Sequence, residues 1–197
     1  MSVGRKITAK LHDKLATFRW FERTIATVCL MIPLILWLAY KDPKCQYNFC
    51  FLYSISDYAY MDHSYVFGML LTIAAMLFIF NGAVYFNNQN KLPLQLSAYG
   101  KWYNVILGLS LLCVIIFPCN QFPVLHDIFA AIFFLGNALV IGIFYRKKYR
   151  ILSMTLAVLT VASLGLSVWG IVPWFTLLWG EWISLIVIGV HFILESL

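Results

Sequence analysis

The sequence predicts an all-α fold, a polytopic membrane protein built as a six-transmembrane-helix bundle with an amphipathic N-terminal helix. Three observations predict it. Of 197 residues, 62% are hydrophobic and 11% charged, against about 25% charged in a soluble domain. Six apolar stretches, with approximate limits 25–40, 66–86, 103–118, 124–145, 151–170 and 176–196, approach the ~20 residues that cross the hydrocarbon of a bilayer. The Lys and Arg residues, finally, gather on alternate connections between those stretches. Backbone groups in lipid must be satisfied within their own segment, so the stretches are helices. A barrel would instead show alternating segments of about ten residues.

Residues 1–24 form the first unit, a cytosolic basic segment. Ile7, Leu11, Leu15 and Phe18 recur at helical spacing, with Lys6, Lys10 and Lys14 on another face. That pattern suits an amphipathic helix on the anionic inner leaflet. A basic tail that only sets topology fits equally well. Residues 25–197 form the second unit, the transmembrane domain, with an external loop at 41–65. Twelve of the fourteen Lys and Arg residues lie in 1–24, 87–102 and 146–150, which assigns both termini to the cytosol. The formal charge of +6 is therefore a record of topology, and nucleic acid is not an expected partner. Membrane lipids are.

Within the spans, small-residue stripes mark close helix contacts: Gly68, Thr72, Ala75 and Gly82 in the second, Ser153, Ala157, Thr160 and Ser167 in the fifth. Loop 41–65 carries Cys45 and Cys50, and Cys119 falls in the next external turn. A bridge from Cys50 to Cys45 or to Cys119 is expected where the compartment is oxidising. Cys29 and Cys113 lie inside spans as packing residues.

Ionisable groups inside a span are costly and mark sites. Glu181, Ser184, Ile188, His191 and Glu195 follow steps of three and four in the sixth span, so they share one face. At 1.5 Å per residue, His191 and Glu195 lie about 15 and 21 Å from Glu181 along the axis. They form a second, inner polar pair, able to interact at four-residue spacing. At the outer level, the stripe His126, Ala130, Phe133 and Asn137 turns His126 inward in the fourth span, with Asp127 beside it at the helix start. Loop 41–65 can bring Ser54, Ser56, Asp57 and His63 to the same layer.

A pocket of Ser54, Ser56, Asp57, His126, Glu181 and Trp182 can hold a lipid headgroup. Asp57, His63, His126 and Glu181 offer oxygen and imidazole donors for a divalent metal. A membrane-embedded metal-dependent lipid hydrolase or acyltransferase using Asp57, His126 and Glu181 is the alternative to lipid binding. A hydrogen-bond network that merely clamps the loop is a third reading of the same residues.

The segment Ser54-Ile55-Ser56-Asp57 followed by Val66-Phe67-Gly68 resembles the "I-S-D … F-G" signature of the FRAG/DRAM/SFK family. The likeness continues with His126 and Ala130 in the fourth span and with Glu181-Trp182 in the sixth. The family's "D-T-G … P-E" continuation reads Asp57-Tyr58-Ala59-Tyr60-Met61-Asp62-His63 here. That group includes the damage-regulated autophagy modulators and proteins of GPI-lipid remodelling. The resemblance implies six spans, cytosolic termini and a lipid-linked membrane function, without fixing a reaction.

Overall fold

A computed structural model describes residues 3–39, 54–87, 101–144, 147–170 and 172–197. Among these residues every regular element is a helix, and there is no strand. Six helices follow in order: α1 (Val3–Ala39), α2 (Ser64–Asn87), α3 (Tyr103–Ile116), α4 (Pro123–Ile143), α5 (Arg150–Val168) and α6 (Leu177–Ser196). A short 3₁₀ helix, Ile55–Tyr60, precedes α2, and another, Lys147–Tyr149, leads into α5.

The helix boundaries have local causes. Residues 5–32 contain neither Gly nor Pro, so nothing breaks α1 between the basic segment and the apolar one. It runs on as a single 37-residue helix, where the sequence suggested a separate leaflet helix over 1–24. The apolar side chains proposed to make that segment amphipathic lie outside the described ones. Pro33 removes one backbone donor inside α1 without ending it, as membrane helices allow. Pro118 excludes helical geometry from Phe117 (φ −107, ψ 81), which closes α3. Pro123 then opens α4 at the position where its missing N–H costs nothing. Gly170, at φ +61, takes the left-handed conformation just past α5.

Among the described residues five helices are long and apolar enough to cross a membrane: Arg19–Ala39 of α1, Ser64–Val84 of α2, and all of α4, α5 and α6. The remaining one, α3, has 14 residues, or about 21 Å of rise, although the chain enters it at one end of the bundle and leaves it at the other. The helices close into a ring in which each touches its neighbours in sequence and α6 returns to α1. α6 also touches α4 and is the most enclosed, 67% buried against 22% for α5.

Two glycines let helices approach closely. A Cβ on Gly108 of α3 would sit 2.6 Å from the Ala75 carbonyl of α2, and one on Gly189 of α6 would sit 3.1 Å from the Ala26 carbonyl of α1. Of the small-residue stripes, Ala75 and Gly82 do face α3, whereas Gly68 has open space before it and Thr72 is exposed. Ser153 and Thr160 of α5 are buried.

The middle of the bundle is apolar. Phe78 of α2 meets Phe133 of α4 and Phe192 of α6 at centroid separations of 5.6 and 5.3 Å, each pair edge to face. All three rings are buried and separate the two polar layers. Both termini lie at one end, where the Arg23 Nε donates to the Ser196 hydroxyl at 3.3 Å. We call this the terminal end and the other the far end. Exposed Trp20 and Trp102 mark the terminal end, and exposed Tyr60, Tyr65, Phe122, Trp169 and Trp174 mark the far end. The helices between them expose Leu, Ile, Val and Met around the circumference. Water-soluble proteins rarely expose contiguous apolar surface of that extent.

Candidate functional site

The far-end layer is built by the 3₁₀ helix lying across the bundle mouth. Its own start is a capping box: the Asp57 amide donates to the Ser54 hydroxyl at 3.3 Å while the Asp57 carboxylate accepts from the Ser54 amide at 2.8 Å. The same carboxylate oxygen accepts from the Ser54 hydroxyl at 2.9 Å. Three further bonds tie this short helix to separate elements. The Ile55 amide donates to the Glu181 carboxylate of α6 at 2.5 Å. The Asn120 amide, in the turn between α3 and α4, donates to the Tyr60 hydroxyl at 2.8 Å. The Ser56 Oγ lies 3.0 Å from His126 Nε2 of α4.

His126 is fixed from its other side. Its Nδ1 lies 2.9 Å from the Phe117 carbonyl, which has no proton to give, so Nδ1 carries the hydrogen. The bond satisfies a carbonyl at the end of α3. In the neutral ring Nε2 is then a lone pair aimed at the Ser56 hydroxyl. The Ser56 side chain also lies close enough to the Glu181 carboxylate to act on it electrostatically. One hydroxyl thus stands between an imidazole and a carboxylate. His126 and Glu181 are buried and Ser56 is half-buried.

Of the pocket residues proposed from sequence, Ser56, His126 and Glu181 come together through Ser56. Ser54 and Asp57 are adjacent, with the Ser54 hydroxyl and Asp57 Oδ2 engaged in the capping box. Trp182 is buried next to Glu181 on α6. The proposed metal set is corrected: among the described residues no group of three or more His, Cys, Asp or Glu side chains is arranged to hold an ion. His63 points elsewhere, its ring exposed and 3.3 Å from the Tyr65 hydroxyl, while the Asp57 oxygen serves the backbone.

The disulfide expectation divides. Cys45 and Cys50 lie outside the described residues. Cys119 is a free thiol among the described residues, and its pairing with Cys50 rests on a residue outside them. Burial pushes the Cys119 thiol pKa up from its ordinary value, and the carboxylates of Asp127, Asp57 and Glu181 push it the same way.

The terminal end holds a second polar layer that the sequence reading did not assemble. The Lys101 ammonium pairs with the Glu22 carboxylate of α1, and with Glu195 of α6 at 3.1 Å. Lys101 and Glu22 are both buried, and Lys101 is held at φ 33, a strained backbone for any side chain with a Cβ. Beside them the Asn104 amide donates to the Asn81 Oδ1 at 2.7 Å. The expected inner pair is corrected accordingly. Glu195 turns to Lys101, and the His191 Nδ1 has no hydrogen-bond partner among the described residues. An ammonium offers three donors and full charge, which a buried imidazole one turn away does not match.

No curated protein and no solved structure matches the chain. A family model does, over residues 31–196, which takes in the whole far-end layer together with Lys101 and Glu195. The chain belongs to that family, DUF7103, a family of unknown function.

Proposed function

We propose a six-crossing membrane protein of the FRAG/DRAM/SFK type, both termini cytosolic, that binds or organises membrane lipids through its far-end polar layer. One observation carries this reading. Ser56, His126 and Glu181 converge at a bundle end rimmed by exposed Tyr60, Tyr65, Phe122, Trp169 and Trp174, and such rings favour the headgroup level. Polar atoms at that depth face lipid headgroups and ester groups before they face bulk water. The bundle offers no competing central path, because Phe78, Phe133 and Phe192 fill its middle.

The sixth crossing is α3, which runs from the Lys101 end to the Phe117 end and needs its flanking residues to match the hydrocarbon thickness. The cytosolic assignment rests on the Lys and Arg distribution. Cysteine placed singly at positions 2 and 46 tests it in sealed cells: position 46 should label from outside and position 2 only after permeabilisation. The lipid reading is tested by mass spectrometry of lipids that survive detergent exchange on the purified protein. A lipid class enriched over the source membrane, and lost from a folded His126→Ala variant, supports it. A lipid complement equal to that of the bulk membrane ends it.

A further inference from the structure

We propose that Ser56 is a nucleophile that takes up an acyl group from an ester of a membrane lipid, with His126 as its general base. The inference rests on the lipid reading for its substrate, but not for its chemistry. An alkyl hydroxyl is a poor nucleophile until a positioned base draws off its proton. The 3.0 Å between Ser56 Oγ and His126 Nε2 lies within the range for that transfer. The base is oriented by a third group, as such pairs require: the Phe117 carbonyl, 2.9 Å from Nδ1, fixes the ring and its tautomer. In a Ser-His-Asp arrangement a carboxylate does this.

The pair is also held in place from outside. Ser56 sits on a 3₁₀ helix pinned by the Ile55–Glu181 bond, the Asn120–Tyr60 bond and the Ser54–Asp57 capping box. His126 sits on a different helix, 70 residues away. A clamp alone would need a bond between the two elements. It would not need the tautomer that leaves the imidazole lone pair on the hydroxyl of a half-buried serine. Ester carbonyls of a bilayer lie just inside the headgroups, the level that the far-end aromatic rim marks.

The step balances as follows. Ser56 Oγ attacks the acyl carbon, and its proton passes to His126 Nε2. The tetrahedral adduct collapses with cleavage of the ester C–O bond. The departing alkoxide takes the proton from His126 and leaves as the alcohol, with the acyl group on Ser56. Water or a second lipid hydroxyl then releases the acyl group by the same steps reversed. Glu181, bonded to the Ile55 amide, is a positioning residue for the hydroxyl.

The test uses the full-length protein in detergent and a small alkyl fluorophosphonate, which requires no lipid site. Attack by Ser56 forms an O–P bond and breaks P–F, and fluoride and the proton leave. Peptide mass spectrometry should place the adduct on Ser56 and not on exposed Ser64. Ser56→Ala should abolish it, and His126→Gln should slow it about a hundredfold. Folding of each variant is read from its elution profile and thermal midpoint. If His126→Gln does not fold, the wild-type adduct pattern decides alone. No adduct at Ser56 on folded protein, in a sample where an added serine hydrolase labels fully, overturns the proposal. So does equal reaction at Ser64, or an undiminished rate in folded His126→Gln. Lipid co-purification is measured separately, so labelling without bound lipid removes the substrate reading and leaves the nucleophile.

Discussion

Replacing Lys101 by Met keeps the length of the side chain and removes its charge. In the folded protein this leaves the Glu22 and Glu195 carboxylates with the same buried neighbour and no ammonium between them. The side chains of Lys101 and Glu22 are only 10% and 2% exposed, so solvent does little to screen the loss. Removing one partner of a buried pair costs about 3–5 kcal/mol, more than the pair adds in the first place, because a charge remains unpaired. At roughly 2–4 °C per kcal/mol for a chain of this size, the thermal midpoint should fall by about 10 °C. Thermal unfolding of purified protein, followed by tryptophan fluorescence, measures it. The sharper measurement is the double variant. Glu22→Gln in the Lys101→Met background removes the carboxylate that has lost its ammonium partner and should recover at least half of the fall. A Lys101→Met protein with the wild-type midpoint, or a double variant no better than the single, would refute the assignment of a buried ion triad.

At the α2–α3 contact, Gly108→Val places branched carbons against the Ala75 carbonyl and Ile79 and should lower the thermal midpoint by several degrees, whereas Gly68→Ala, which meets open space, should leave it unchanged. Glu181→Gln keeps an acceptor for the Ile55 amide, so it should retain the 3₁₀ helix; Glu181→Ala strands that amide and should cost about 1–3 kcal/mol, visible as faster hydrogen exchange at Ile55–Tyr60. The Cys119 thiol, its pKa raised by burial and by neighbouring carboxylates, holds less thiolate at neutral pH than an ordinary cysteine. Iodoacetamide should therefore react slowly and accelerate as the pH rises, and Asp127→Asn should speed the reaction at fixed pH by lowering that pKa. Equal rates in wild type and variant would remove the electrostatic part of the account.

Periodicity carried as far as one helix can carry it. Glu181, Ser184, Ile188 and His191 fall on one face at steps of three and four, and all four are buried. The inward stripe of α4 likewise includes His126, Phe133 and Asn137, each buried. What one helix cannot state is its partner. Glu22 sits among Arg19 and Arg23 and reads as one acid in a basic segment. Lys101 reads as a charge that sets topology. Their pairing joins residues 79 apart on elements with no shared period. A carboxylate three residues ahead of the first apolar stretch (25–40) was the available signal, since such a group, once carried into the bundle, must find a cation. Asp57 also has a local reading. Ser54-x-x-Asp57 is a capping-box pattern, and one oxygen of its carboxylate is engaged there.

The two polar layers are coupled through α6, which carries a carboxylate for each. Glu181 and Glu195 stand fourteen residues apart, about 21 Å along one face. The helix between them is pressed onto α1 at Gly189, which meets the Leu30 side chain and the Ala26 carbonyl. Glu195 fixes the height of α6 against Lys101 and, through it, against Glu22 of α1. With that height set, the Glu181 carboxylate meets the Ile55 amide at 2.5 Å. A slide of α6 by a single residue, about 1.5 Å, would break that bond and displace the 3₁₀ helix that carries Ser56. The costly charges at the terminal end therefore act as a depth stop for the far end. This explains why three ionisable groups are held inside a bundle that apolar packing alone would close. Close packing by Leu, Ile and Phe holds α6 along its length, and the charge-assisted contact between Lys101 and Glu195 adds to it at the terminal end.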